Sequence, residues 1–245
     1  MIPDLLNRNL VPEWMDSPDL DEREHRRALA GLRRVNRICN PAVPIASSIR
    51  KMAQRRGMKE LSILDVGCGS GDIAIRIQRD LNRDFVCHIT GWDMSPVAIE
   101  TANERVDSNS RIRFQRANIL EPNSQARETY DFVYCSLFMH HFDWDESIGV
   151  LSHLKQLSRV SVLVDDLCRS KLGWIAAKLG CWVLSRSPIV HFDGPQSVRA
   201  AYTTSEFQQL AVHAGLSNGT IRKHWPERFL FLCEANPWMT TSQTT

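Results

Sequence analysis

The stretch Leu61-Ser62-Ile63-Leu64-Asp65-Val66-Gly67-Cys68-Gly69-Ser70-Gly71-Asp72 decides how the 245-residue chain is read. An apolar run of strand length meets three glycines at alternate positions, and a helical pattern begins at about residue 71. Glycines at 67, 69 and 71 let the backbone turn tightly and come close to a bound ligand. Asp65 sits inside the strand end, two residues before the first glycine. The G-x-G-x-G spacing departs from the G-x-G-x-x-G of dinucleotide folds, and no Gly-Lys-Ser/Thr is present to hold phosphates. A carboxylate at such a turn suits a cationic amino-acid group and repels a pyrophosphate.

Outward from this turn, short apolar runs alternate with helical stretches. Strands are predicted at 61–66, 85–92, 111–116, 131–137, 160–166, 218–223 and 228–234, with helices near 71–82, 95–106, 146–157 and 204–215. This alternation predicts an α/β fold, Rossmann-like and doubly wound around a mostly parallel sheet. Only Trp225-Pro226-Glu227 separates the last two strands, so they are expected to form an antiparallel hairpin. Before residue 61, Ala28, Leu32 and Val35 recur at helical spacing, predicting a helix over 20–38, and a second fits 44–55. The chain thus divides into a helical extension, 1–60, expected to cover part of the acceptor site, and a sheet domain, 61–245, with a helical insert at about 168–200. The tail from Thr240 is low in complexity and is expected to fray.

Hydrophobic residues make up 43% and charged residues 24%, which excludes a disordered chain, and the net charge of +2 argues against a wholly basic nucleic-acid binder. The average hides an asymmetry: residues 1–60 hold 12 basic and 8 acidic side chains, and 11 of those cations fall between Arg23 and Lys59. No apolar run reaches the ~20 residues that span a bilayer. The N-terminus has no basic region followed by an apolar stretch, so no secretory signal is read. Seven cysteines, none in C-x-x-C spacing, imply neither a disulfide framework nor a zinc site. A reducing cytoplasm is the expected compartment.

Further polar positions fall at strand ends. Asp93, in Gly91-Trp92-Asp93-Met94-Ser95, follows the glycine turn by about 20 residues, where an acid accepts from ribose hydroxyls. Taken alone it could equally cap the next helix. Met94 is expected to pack as a hydrophobe, Ala117-Asn118-Ile119 to meet an adenine edge, and Asp131 to position its strand. In order along the chain, these elements resemble the class I S-adenosylmethionine-dependent methyltransferases over roughly Leu61 to Asp166. The resemblance implies a seven-stranded sheet, S-adenosyl-L-methionine as donor (S-adenosyl-L-homocysteine as product) and no metal. It places Asp65, Gly67, Cys68, Gly69, Gly71, Asp93, Met94, Asn118, Ile119 and Ser136 around the donor.

The acceptor is read from the end of the fourth strand, Ser136-Leu137-Phe138-Met139-His140-His141-Phe142. It lacks the Asn/Asp-Pro-Pro-aromatic motif of nucleic-acid and protein amino-methyltransferases. The paired histidines instead resemble small-molecule methyltransferases, including those of quinone biosynthesis. His140 or His141 could take an acceptor proton, because imidazole titrates near neutrality, unless the ring only packs beneath the donor. Of Asp165 and Asp166, strand alternation should turn one inward, and Asp166 is the one expected to face the pocket as a catalytic candidate. His191, Arg199 and Tyr202, in a polar stretch before the Thr203-Thr204-Ser205-Glu206 capping box, are candidates for acceptor binding. Trp174 belongs to an apolar insert, 171–184, read as a lid or pocket wall, a packed peripheral helix or a lipid contact.

The expected activity is O-methylation of a hydrophobic or aromatic small molecule, a phenol, enol or carboxylate, with a looser likeness to polyketide-associated bacterial enzymes. The alternatives are C-methylation of a quinone-type ring, RNA methylation guided by the basic 23–59 segment, and a donor-binding subunit without catalysis. The expected partner is a lipophilic acceptor and not a nucleic acid. Peripheral membrane contact is allowed, and the chain is expected to be a monomer or a homodimer.

Overall fold

Seven strands form one sheet in the computed structural model, which describes residues 3–107, 109–121 and 128–235. They are β1 (Glu60–Val66), β2 (Val86–Asp93), β3 (Ile112–Arg116), β4 (Tyr130–Ser136), β5 (Ser158–Leu167), β6 (Thr220–His224) and β7 (Arg228–Glu234). Their spatial order is β3-β2-β1-β4-β5-β7-β6. β1 to β5 run parallel, and β7 lies antiparallel to both β5 and β6. The order reverses between β1 and β4, so their carboxyl ends open a crevice where open α/β sheets bind ligands.

Successive residues of β1 explain the two-sided burial. Ile63 packs with Ile45, Ile49 and Ile77 on one face, and Leu64 packs with Leu151, Leu154 and Phe207 on the other. The first face is covered by α2 (Ala42–Arg55) and α3 (Asp72–Leu81), the second by α5 (Trp144–Leu157) and α8 (Thr204–His213). α4 (Pro96–Asn103) starts at a Ser95 cap, whose hydroxyl accepts from Ala98 N–H, and ends three residues before the predicted limit. Asp131 positions its strand, as expected: its carboxylate accepts from the backbone N–H and the hydroxyl of Ser62 on β1. Upstream, α1 (Glu22–Cys39) begins on an Asp21 cap and closes on Asn40 in a left-handed conformation, φ 53°. The tail from Thr240 lies outside the described residues.

Two helices fill the insert between β5 and α8. They are α6 (Lys171–Leu184) and α7 (Pro188–Ala200). The polar stretch 191–202 lies mostly in α7, with Gly194 and Pro195 inside the helix. The reason is a close helix crossing: a Cβ on Gly194 would come within 2.3 Å of Cys181 Sγ on α6. Tertiary packing thus overrides a local breaker signal. A correction concerns β5, where Asp165 and Asp166 are both buried, at 0% and 2% exposure. β5 lies between β4 and β7 and is covered on both faces, so alternation sends each acid to a different interior partner.

Candidate active site

The turn after β1 is built by its glycines. Gly67, Gly69 and Gly71 adopt φ of 71°, 52° and 71°, and a Cβ on Gly67 would come within 2.4 Å of the Phe138 ring. Nothing lies within 4 Å of a Cβ built on Gly69, so the turn presents bare backbone to open space. The Gly67 and Cys68 amides donate to the Trp92 carbonyl at 2.8 and 2.9 Å, and the Gly69 amide donates to Asp93 Oδ2 at 2.8 Å. Asp93 Oδ1 accepts from Ser95 N–H at 2.9 Å. A carboxylate has about four lone-pair sites, so Asp93 keeps capacity for two further hydroxyl donors. Burial raises Asp93 above the ordinary carboxylate range against these amide bonds.

Asp65 is buried beneath the turn, and its Oδ2 has no hydrogen-bond partner. Burial pushes its carboxyl up to about 8, opposed by the Tyr134 hydroxyl and reinforced by Asp72 and Asp93. An orphaned buried acid beneath a backbone cradle fits a ligand carrying an ammonium group and a ribose. Around it, Cys68 is buried with its thiol pushed well up by desolvation, and Ile119 is buried with its carbonyl accepting from His153 Nδ1 at 2.8 Å. Asn118 spans a turn, accepting from Leu120 N–H and donating to Glu121, while Met94 is 59% exposed. Ser136 is buried and donates to Asp165 Oδ1 at 3.3 Å.

Past β4 the chain turns sharply at Leu137, φ 55°, into a single 3-10 turn, Met139–His141. A left-handed branched residue stores local strain, which the bond from Leu137 N–H to the Asp165 carbonyl helps to hold. His140 is buried, with Nδ1 2.8 Å from Asp166 Oδ1 and Nε2 3.5 Å from Glu13 Oε1. Burial disfavours its charged form, but Asp166 and Glu13 outweigh burial and bring the imidazole up to about 10. Burial likewise opposes the charge on Glu13, and the two histidines with Ser197 bring it down to about 2. The His141 side chain is 26% exposed, stacks on His140 with centroids 4.5 Å apart, and has Nδ1 3.1 Å from Asp16 Oδ2. Glu13, His140 and His141 bring ligand atoms within 4.8 Å of one another, a set able to meet a divalent cation. Both nitrogens of His140 already face carboxylates.

Glu13 and Asp16 come from an N-terminal strap that crosses α7. Trp14 stacks on Phe192 with centroids 4.2 Å apart, and the Trp14 and Met15 amides donate to the Asp193 carboxylate. Arg8 sits over the Tyr202 ring at 3.5 Å and donates to the Ala200 and Phe142 carbonyls. Burial, with the Glu13 charge, pushes Asp193 up to about 7.

Residues 63–160 match the family model described as Methyltransferase domain. The solved plantazolicin methyltransferase BpumL, in complex with a triazolic desmethylPZN analog and SAH, superposes with a TM-score of 0.65 at 19% identity, over 91% of this chain and 93% of that one. Residues 63–160 thus carry a methyltransferase domain, and the chain has the fold of these S-adenosylmethionine-dependent methyltransferase structures. The magnesium protoporphyrin IX methyltransferase (ChlM) from Synechocystis PCC 6803, with bound SAM, shares the fold with a TM-score of 0.56 at 14% identity, over 90% and 100% of the two chains. The curated Ribosomal RNA large subunit methyltransferase F of Pectobacterium carotovorum subsp. carotovorum (strain PC1) is 31% identical over 90 residues, 34% of this chain and 28% of that protein. The chain therefore spans well under two thirds of the length of the curated relatives it matches.

Two clusters gather residues selected from sequence. The glycine turn, Asp65 and Asp93 meet at one end of the sheet, and Asp166, His140 and His141 form a second cluster. The four acceptor-binding candidates are held elsewhere. His191 Nε2 donates to the Ser185 carbonyl, Arg199 donates to Gln196, and Trp174 lies 4.9 Å from the Lys178 ammonium. Tyr202 is a core residue whose hydroxyl meets Ser147 at 2.8 Å. Sequence reading missed Glu13 and Asp16, which precede the helical periodicity and gain their roles only when the strap folds back. It also missed Arg228, fully buried against Asp165 and Ser136, with His224 Nε2 2.6 Å from Asp165 Oδ2. Its only signal was a cation opening an otherwise apolar strand.

Proposed function

We propose that the chain transfers a methyl group from S-adenosylmethionine to an oxygen of a hydrophobic or aromatic small molecule. The observation that carries this reading is the pairing of an acid–glycine-turn–acid cradle with an acid-clamped histidine pair at the carboxyl edge of one sheet. When bound, the donor supplies an electrophilic methyl on a positively charged sulfur. Asp65 receives the donor's ammonium, Asp93 its ribose hydroxyls, and the Gly67–Gly71 backbone closes around the amino-acid end. Met94, Asn118 and Ile119 line the adenine side, with Cys68 and Ser136 completing the wall.

His140, held as a cation between Asp166 and Glu13, is a positioning residue in this proposal. It fixes the stacked ring of His141 and adds positive charge where an acceptor oxygen becomes anionic. His141 takes the acceptor's proton on Nε2 while Asp16 orients Nδ1, the arrangement of an oriented imidazole base. His141 passes that proton to solvent, and the bound donor would give its methyl to the oxygen as its carbon–sulfur bond breaks, leaving neutral S-adenosylhomocysteine. Alignment is the main service the protein performs, an effect worth up to about 7–11 kcal/mol in well-oriented systems. The BpumL and ChlM neighbours, whose names state small-molecule substrates, support this substrate class.

Purified chain incubated with methyl-labelled donor and a panel of phenols, enols and carboxylic acids tests the proposal. Label on oxygen of at least one acceptor is expected. Label found only on carbon, or only on added RNA, sinks the oxygen assignment.

A further inference from the structure

α6 is the outermost layer of the insert, and it turns an apolar stripe to solvent. Leu172, Ile175, Leu179, Trp182 and Val183 are exposed by 62%, 36%, 60%, 70% and 71%. At 3.6 residues per turn these five fall within an arc of about 100° along the whole helix. Only Gly173 and Cys181 of α6 are buried, so the helix is anchored by its back. A continuous apolar face of this kind on a folded chain marks an interaction site.

The surroundings of the stripe are cationic. No acid occurs between Arg169 and Phe192, while Lys171, Lys178 and Arg186 are exposed there. α1 adds Arg34 at the far end, whose Nε donates to the Leu184 carbonyl at 2.6 Å, and Arg27, which donates to the Arg186 carbonyl at 3.1 Å while also pairing with Glu24 at 3.5 Å. At the near end, Glu227 accepts from the Ser170 cap of α6 at 2.7 Å, which brings the β6–β7 turn, with Trp225 67% exposed, to the start of the helix. Four of the other nine cations between Arg23 and Lys59 are paired with acids. Arg26 pairs with Glu22, Glu100 and Glu104, Arg50 with Asp84, and Arg55 and Arg56 with Glu234.

We infer that α6, rimmed by these cations, is a docking face for an anionic lipid surface, into which the apolar stripe inserts along the interface plane. The combination of Leu and Trp on one face, Lys at its edge and no acid is that of an interfacial amphipathic helix. Among the described residues no helix is long and apolar enough to cross a membrane, so contact through this face would be peripheral. A second copy of the chain fits less well, because a two-fold contact sets the same cationic rim against itself. The inference does not depend on the identity of the methyl acceptor.

Sedimentation of the full chain with phosphatidylcholine vesicles, with and without phosphatidylglycerol, tests it. Binding to the anionic vesicles, falling steeply with added salt and weak on phosphatidylcholine alone, is expected. Leu179→Glu with Trp182→Glu should lower the partition coefficient at least about tenfold with no change in melting temperature, since both side chains are exposed. Lys178→Glu should weaken anionic binding alone. No binding to anionic vesicles at low salt overturns the inference, as does equal binding by the double variant. A wild-type dimer that the double variant converts to monomer, seen by light scattering, reassigns the face to a second copy and also overturns it.

Discussion

The Asp93 carboxylate at the end of β2 accepts the Gly69 amide proton at 2.8 Å, locking the acid onto the tip of the glycine turn. The two parts of the proposed donor site are therefore one mechanical unit: the turn cannot shift without moving the acid. Removing the carboxylate takes away a ribose acceptor and loosens the backbone cradle together.

Asp93→Ala is accordingly expected to weaken S-adenosylhomocysteine binding by at least about tenfold, given roughly 1.5–3 kcal/mol per hydrogen bond to a charged group. Titration calorimetry on the wild type and the variant measures this. Equal affinities would remove Asp93 from the site.

Asp65 predicts a proton signature. Its carboxyl, pushed up to about 8 by burial, is mostly protonated at neutral pH. A donor ammonium beside it favours the carboxylate, so binding should release close to one proton at pH 7, and affinity should rise between about pH 6 and 8. Calorimetry in buffers of different ionisation enthalpy reads the proton count. Zero release would contradict Asp65 as the ammonium partner.

The Glu13–His140–Asp166 cluster sets a stability window. His140, raised from 6.5 to about 10, contributes fully below its unfolded value and loses its contribution as pH rises through 10. Glu13, lowered from 4.5 to about 2, contributes above its unfolded value and loses it as pH falls through 2. Glu13→Gln should flatten the melting temperature on both limbs, since it removes one acid and one support of the imidazolium. A melting profile parallel to the wild type at every pH would break the pairing.

His141→Ala should lower turnover by about 10²–10⁴-fold while leaving donor-product affinity unchanged, as expected for loss of a general base. His140→Gln should lower turnover less and also lower the melting temperature. Near-wild-type turnover in both variants would dismiss the histidine pair from the chemistry.

Arg228→Met leaves Asp165 charged and buried, and is expected to cost about 3–5 kcal/mol of stability. Adding Asp165→Leu should restore much of the loss. Chemical denaturation measures both, and a single variant as stable as the wild type would mean that the ion pair does not support the β5–β7 junction.

The donor half of the site was legible in the sequence because its information is local. Asp65, the three glycines and Asp93 lie at strand ends that periodicity locates, and their roles follow from backbone geometry. The acceptor half was legible only in part. His140 and Asp166 were selected separately, but the acid that closes the cluster, Glu13, sits more than a hundred residues away on a segment without periodicity. Tyr202 shows the opposite failure: it looked polar beside Arg199, yet its ring fills the core and its hydroxyl is satisfied by Ser147.

A crystal structure of the chain grown with S-adenosylhomocysteine tests the central claim most directly. The account predicts the ligand's amino group within about 3 Å of Asp65 and both ribose hydroxyls on Asp93, across the Gly67–Gly71 turn. Ligand bound away from these acids, or a turn left empty at saturating ligand, would contradict it.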